Sequence, residues 1–215
     1  DVFGSLSHLS ESEMLVRGAE MGGEPEDSRR HSPLDTILWK SSAVDEPAWD
    51  APWGRGRPGW HVECAAMAVS HLGPTVDLHG GGSDLVHPHH ECSAAMASAV
   101  TGEPLSRHWM HQAMVRNQGS KMSKSLGNLV FVSDLLAGAE PMAVRLSLLT
   151  NHYRTSWDWD PDLLSAAAER LDCWRSASDG DGAHAVGAVR DALDSDLDVP
   201  AAVEAVDEAV AEGRG

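Results

Sequence analysis

The tightest constraint on the fold lies between residues 76 and 99. Val76-Asp77-Leu78-His79 alternates apolar and polar groups as a half-buried strand does. Gly80-Gly81-Gly82-Ser83-Asp84 follows at once, and Pro88-His89-His90-Glu91 opens an alanine-rich run through Ala99. Strand, glycine turn, helix is the building unit of a parallel α/β sheet, which holds ligands at the carboxyl ends of its strands. Without side chains at Gly80, Gly81 and Gly82, a ligand can lie against the backbone there. Asp84 then offers a carboxylate to an ammonium or a hydroxyl. A tight βα turn with Asp84 as a helix cap explains the same residues, and the sequence alone does not choose.

The flanking chain supplies further elements. Ser10 and Glu13 have capping-box spacing, so a helix carrying Met14, Leu15 and Ala19 on one stripe runs to Gly22-Gly23. Residues 24–30 are polar and expected at the surface, whereas residues 33–40 are apolar enough to dock on a core. Pro47, Pro52, Gly54, Gly56 and Pro58, with Trp49 and Trp53, make residues 41–58 a series of turns with aromatic anchors. A helix opens near Trp60 and His61 directly after that loop, with free N–H groups suited to an anion, and its small residues from Cys64 onward predict burial. Met114-Val115 predicts a short strand. From Ser133 the pattern turns helical: Val144, Leu146, Leu148 and Leu149 form one apolar face, and Leu163, Leu164, Ala167, Leu171 and Trp174 another. Residues 179–182 predict a linker ahead of two acidic, alanine-rich helices, 186–197 and 201–211.

At 215 residues the chain can build one large core or two modest ones. A formal charge of −17 disfavours nucleic acid, whose binding draws on basic groups neutralising phosphates, so tRNA is an unlikely partner. No apolar run approaches the ~20 residues of a membrane span, and no signal-peptide pattern precedes the first helix. Three cysteines are too few for a disulfide framework. A cytoplasmic location and no membrane partner are expected; the oligomeric state is left open, with a monomer acceptable.

Two groups of residues carry chemistry. Lys121-Met122-Ser123-Lys124-Ser125-Leu126-Gly127-Asn128 places two lysines among small hydroxyls and closes with a glycine, a loop able to aim ammonium groups at charge developing on a polyphosphate. A solvated Lys/Ser surface loop is the ordinary alternative. Cys64 and His89 stand at the openings of two predicted helices, and a thiolate with an imidazole is a zinc-like donor pair; from spacing alone, a packed cysteine and a hydrogen-bonded histidine are the more ordinary reading. His61, His79, His90 and Cys92 are spare candidates. Trp60 is either a pocket wall or a core filler.

Gly56-Arg57-Pro58-Gly59-Trp60-His61-Val62-Glu63-Cys64, His79 through Leu85, Pro88-His89-His90-Glu91 and Lys121 through Asn128, in this order and spacing, resemble the cysteinyl-tRNA synthetase family of class I aminoacyl-tRNA synthetases. The similarity spans roughly residues 30–175. Glu20-Met21-Gly22-Gly23-Glu24-Pro25, Ala65-Ala66 after the cysteine and Cys92-Ser93 after Glu91 resemble the branch of mycothiol-pathway cysteine ligases more closely than the tRNA-charging enzymes, which carry a zinc-binding glutamate where Ser93 stands.

The resemblance implies an α/β fold: the second half of a class I synthetase Rossmann-like nucleotide-binding fold, followed by a C-terminal helical region. Residues 1–50 would be an inserted or connective segment, 51–132 the second half of the catalytic domain with the lysine loop, and 133–215 a helical domain. It implies an ATP-dependent ligase that activates L-cysteine as cysteinyl-AMP and passes it to the amine of glucosaminyl-inositol. Zn²⁺ would be held by Cys64 and His89 and take the substrate thiolate. Trp60 would line the cysteine pocket, Gly82, Ser83, Asp84 and Val115 would hold the adenylate, and Lys121 and Lys124 would stabilise pyrophosphate leaving from Mg-ATP, with Lys124 in direct ATP contact. The family's His-Ile-Gly-His motif and a further zinc-ligand cysteine lie ahead of the region present here, so these residues alone are expected neither to bind ATP tightly nor to turn over. A cysteinyl-tRNA synthetase fragment and a non-catalytic cysteine- or zinc-binding paralogue are the alternatives.

Overall fold

A computed structural model describes residues 3–23, 28, 30–124, 126–177 and 182–213. Glu24-Pro25, most of the polar stretch 24–30, Ser125 of the lysine loop and residues 179–181 of the expected linker lie outside the described residues. The chain forms two compact units, Asp1–Gln112 and Ala113–Gly215.

In the first unit, α1 (Glu11–Glu20) starts at Ser10, whose side chain accepts from the Glu13 N–H while the Glu13 carboxylate accepts from the Ser10 N–H. The capping box is therefore complete. β1 (Trp39–Lys40) pairs antiparallel with β2 (Arg57–Pro58). The apolar segment before β1 docks only in part: Thr36 bonds to the buried Cys92, and Leu34 and Trp39 are half-buried, whereas Ile37 is 46% and Leu38 60% exposed.

α2 (Trp60–Leu72) opens where anticipated but buries only Ala65, so its small residues mark a half-covered helix and not a fully buried one. β3 (Val76–Gly82) runs parallel to β4 (Ser106–Gln112), with α3 (Glu91–Thr101) between them in sequence. The sequence reading placed the three glycines in a turn; they belong to the strand. Gly80, Gly81 and Gly82 pair with Met110, His111 and Gln112, so β4 completes a ladder that no local pattern announces. The turn follows at Ser83–Leu85, a single tight helical turn, and Val86–His90, in which His87 is extended (φ −134°, ψ 135°). Ala65, Ala97 and Leu105 form the small core between α2, α3 and β4, with Trp109 packed on it. Glu91, 3% exposed, accepts the N–H groups of Gly4 and Ser7 at 2.8 Å each, and His87 Nε2 donates to the Met14 carbonyl at 3.1 Å. These bonds fasten the 3–14 segment to the turn that carries the histidines.

In the second unit, β5 (Val115–Asn117) pairs antiparallel with β6 (Ser120–Lys121) and parallel with β7 (Trp157–Trp159), a strand too short to show in the sequence pattern. α4 (Val132–Leu135) and α5 (Pro141–Leu149) follow β6, and α6 (Pro161–Ser176), α7 (Ala183–Asp194) and α8 (Val199–Ala211) follow β7. α6 and α8 start with proline in the first turn behind an aspartate cap, a favoured helix opening. Leu146, Ala167, Leu171 and Val203 form the helical core, and the Trp174 indole donates to Asp207 at 2.7 Å. Of the apolar faces read from the sequence, Val144, Leu146, Ala167 and Leu171 are buried and Trp174 packs against the core, whereas Leu148 is 41% exposed.

Candidate functional site

Gly59 fixes the start of α2: a Cβ there would stand 1.9 Å from the Ile37 carbonyl oxygen, so only glycine permits the approach. Trp60 and His61 consequently occupy the first turn. The Trp60 ring stacks on His89 at 4.2 Å and 21°, and His61 Nδ1 lies 2.8 Å from His89 Nδ1. Since one nitrogen must donate and the other accept, the two neutral rings adopt opposite tautomers. Trp60 is 53% exposed, which rules out the core-filler reading and leaves an aromatic wall. Cys64 lies one turn along the same helical stripe as Trp60; burial, then the charge of Glu63, raises its thiol pKa.

A second set of imidazoles gathers at the carboxyl ends of β3 and β4. His90 Nδ1 lies 2.7 Å from His111 Nε2, and His79 stacks on its cross-strand neighbour Trp109 at 4.6 Å. Gly81 admits His90: a Cβ on it would meet His90 Cε1 at 2.6 Å. Burial is the first cause lowering the pKa of every one of these rings, bringing His61 and His90 to about 4. Neighbouring imidazoles push His90 the same way, and Asp84 opposes them. The layer is therefore uncharged at neutral pH and rich in nitrogen lone pairs.

Among the described residues no three His, Cys, Asp or Glu side chains converge into a metal-holding group. Cys64 and His89 are donors of the right chemistry for Zn²⁺, but a tetrahedral ion needs more than two. The spare candidates behind His89 are otherwise engaged. Cys92 is 2% exposed, bonded to Thr36, and pushed by burial to about 11, while the Ser93 hydroxyl donates to the His61 carbonyl at 3.3 Å. Gly82 ends β3 and stands at the cap position of the tight turn that follows, so Ser83 and Asp84 lie within that turn.

Val115, Lys121 and Lys124 belong to the second unit. Gln118 and Gly119 both have positive φ, 54° and 75°, the geometry of a tight hairpin turn between β5 and β6. Asp158 on β7 braces it, accepting the Gly119 N–H at 2.6 Å and pairing with Arg116 at 2.9 Å. Asn128 closes the loop that follows: its Oδ1 accepts the Ser123 N–H at 2.9 Å, its Nδ2 donates to the Lys121 carbonyl at 3.2 Å, and its own carbonyl accepts from Asn117 at 3.0 Å. Lys121 and Lys124 are exposed on this closed frame.

Sequence reasoning missed His87 and His111. His111 could have been found from the alternation His79, Gly81 opposite Trp109, His111 once β4 was paired; His87 had no local signal, because its place depends on contact with α1.

Residues 1–169 match the model of the class I (C) tRNA synthetase catalytic domain. A protein of Acidothermus cellulolyticus named L-cysteine:1D-myo-inositol 2-amino-2-deoxy-alpha-D-glucopyranoside ligase is 54% identical over 96% of this chain, and one of the same name from Thermobifida fusca is 52% identical over 96%. The chain spans 52% of the length of each. Among solved structures, the agnB2 LeuRS of Agrobacterium radiobacter K84, in a ternary complex with tRNA and LeuAMS, superposes with a TM-score of 0.56 at 17% identity, over 80% of this chain and 30% of that one, a likeness of fold. With its parallel β3–β4 pair, histidine-lined strand ends and lysine loop, the chain belongs to the class I (C) tRNA synthetase catalytic-domain family.

Proposed function

We propose that the chain is part of a ligase that activates L-cysteine with Mg-ATP and transfers it to the amine of glucosaminyl-inositol. The observation that carries this reading is the 54% identity, sustained over 96% of the chain, to a protein named for joining those two substrates. In the first step the cysteine carboxylate attacks the α-phosphorus, forming cysteinyl-AMP and releasing pyrophosphate. In the second the sugar amine attacks the cysteinyl carbonyl carbon, and AMP departs as the amide forms.

Trp60 would wall the cysteine pocket, and the neutral His61–His89 pair would hold that wall in place. Gly82, Ser83 and Asp84, at the end of β3, and Val115 would contact the adenylate. Lys121 and Lys124 would neutralise charge on the departing pyrophosphate. Cys64 and His89 would be two of the ligands of a Zn²⁺ ion, with the remaining ligands outside the described residues. Such an ion would prefer thiolate over hydroxyl and so select cysteine over serine.

The test is cysteine-dependent ATP–pyrophosphate exchange by the full-length protein, followed by amide formation with glucosaminyl-inositol. Exchange with cysteine but transfer to tRNA would favour the tRNA-charging reading that the family match also allows. Absence of exchange would overturn both.

A further inference from the structure

In the second unit, the segment between α5 and β7 meets the turn between α7 and α8 in one polar cluster. Asp196 accepts from the Tyr153 hydroxyl at 2.6 Å and twice from Arg154, Nε at 2.5 Å and Nη2 at 3.0 Å. The Arg154 guanidinium also lies 5.1 Å from the centre of the Tyr153 ring, a cation–π contact. The turn that presents the carboxylate is strained. Asp196 and Leu197 are consecutive left-handed residues, with φ of 58° and 54°, and a leucine adopts that conformation only where its surroundings impose it. A single exposed ion pair contributes little to stability. This one is bidentate, carries a third bond from a tyrosine and holds a strained turn, so its geometry calls for another account.

The bonds lead toward the lysine loop in both directions from Tyr153 and Arg154. The Tyr153 carbonyl accepts the Ala113 N–H at 2.7 Å, two residues before Val115 opens β5. In the other direction the chain enters β7, which pairs with β5 so that Asp158 stands opposite Arg116. Asp158 in turn accepts the Gly119 N–H at the tip of the β5–β6 hairpin. We infer that Asp196 is a positioning residue for the nucleotide: by holding Tyr153 and Arg154 it fixes where β5 runs, and so where Val115 and the hairpin leading to Lys121 and Lys124 stand. It touches no substrate itself. The inference rests on the proposed function for the roles of Val115 and the two lysines.

Cysteine-dependent ATP–pyrophosphate exchange by the full-length protein tests it, with both KM values measured beside the urea midpoint. Asp196→Gly keeps the left-handed turn and removes only the carboxylate. The KM for ATP should rise about three- to tenfold, within the range by which residues remote from a ligand alter its binding, while the KM for cysteine stays unchanged. Arg154→Ala should do the same, and the double variant should be no worse than the more affected single one, because the two side chains act as a pair. Arg175→Ala is the control: it breaks another exposed two-bond pair of this unit, with Glu140, and should lower the urea midpoint with both KM values unchanged. If Asp196→Gly behaves like that control, or if the losses of the two single variants add, the inference is overturned. Should Asp196→Gly fail to fold, Arg154→Ala, which leaves the strained turn intact, decides alone. No exchange by the unsubstituted protein removes the activation reading and this inference together, whereas exchange with an unchanged KM for ATP in the variants removes this inference only.

Discussion

The histidine layer of the first unit and the lysine loop of the second are built on opposite principles. His87, His89 and His90 are 2%, 6% and 3% exposed, clasped by ring stacking and by bonds to α1. Lys121 and Lys124 ride on a hairpin whose frame is three hydrogen bonds of Asn128 and the brace of Asp158. Recognising one thiol against its hydroxyl analogue requires fixed donors, because a site that relaxes accepts either. In the proposed reaction, countering charge that moves from the α-phosphate to departing pyrophosphate would call for cations that follow it, a role that exposed lysines on a short frame would suit.

The largest effect should come from the rigid region. Cys64→Ser in the full-length protein should reduce bound zinc from about one per chain to near none by elemental analysis; unchanged zinc would leave Cys64 a packing residue. Next, Lys124→Ala should lower cysteine-dependent exchange about 10²- to 10³-fold, as loss of a charge-stabilising group does, with zinc content intact. A parallel loss of zinc would show that the two regions do not act independently.

A pH series separates them further. Imidazoles of the unfolded chain titrate near 6.5, whereas His61 and His90 titrate at about 4 when folded. Between those values the unfolded chain binds protons that the folded one refuses. Stability is therefore full above about pH 6.5 and falls as pH drops toward 4. The urea midpoint of the metal-free protein should decline across that window; a decline starting only below pH 4.5 would assign it to carboxylates instead. The smallest effect belongs to the frame: Asn128→Ala should raise the KM for ATP about three- to tenfold, in line with two lost hydrogen bonds, and an unchanged KM would mean that the loop holds its shape without them.

Much of this was legible in the sequence where the signal is local. The Ser10–Glu13 box, the α2 start at Trp60 and the strand from Val76 appear as read, and so do the apolar stripes of α5 and α6 apart from the exposed Leu148. What stayed hidden depends on partners distant in the chain. The glycines 80–82 look like a turn until β4 supplies their ladder, and β7 is three residues whose only warrant is β5 beside them. For the site, sequence spacing nominated His89 and Trp60 but not their contact, and it could not tell that Cys92 would be sealed against Thr36.

The grip of Glu91 on Gly4 and Ser7 sets what residue 91 can become. Each carboxylate oxygen serves one backbone amide, so the position demands two acceptors at a fixed reach. Glutamine offers one acceptor and sets an NH₂ against the other amide, and aspartate falls a methylene short. Of the twenty side chains only glutamate fills the role, so a library randomised at this codon should return it almost alone among well-folded clones.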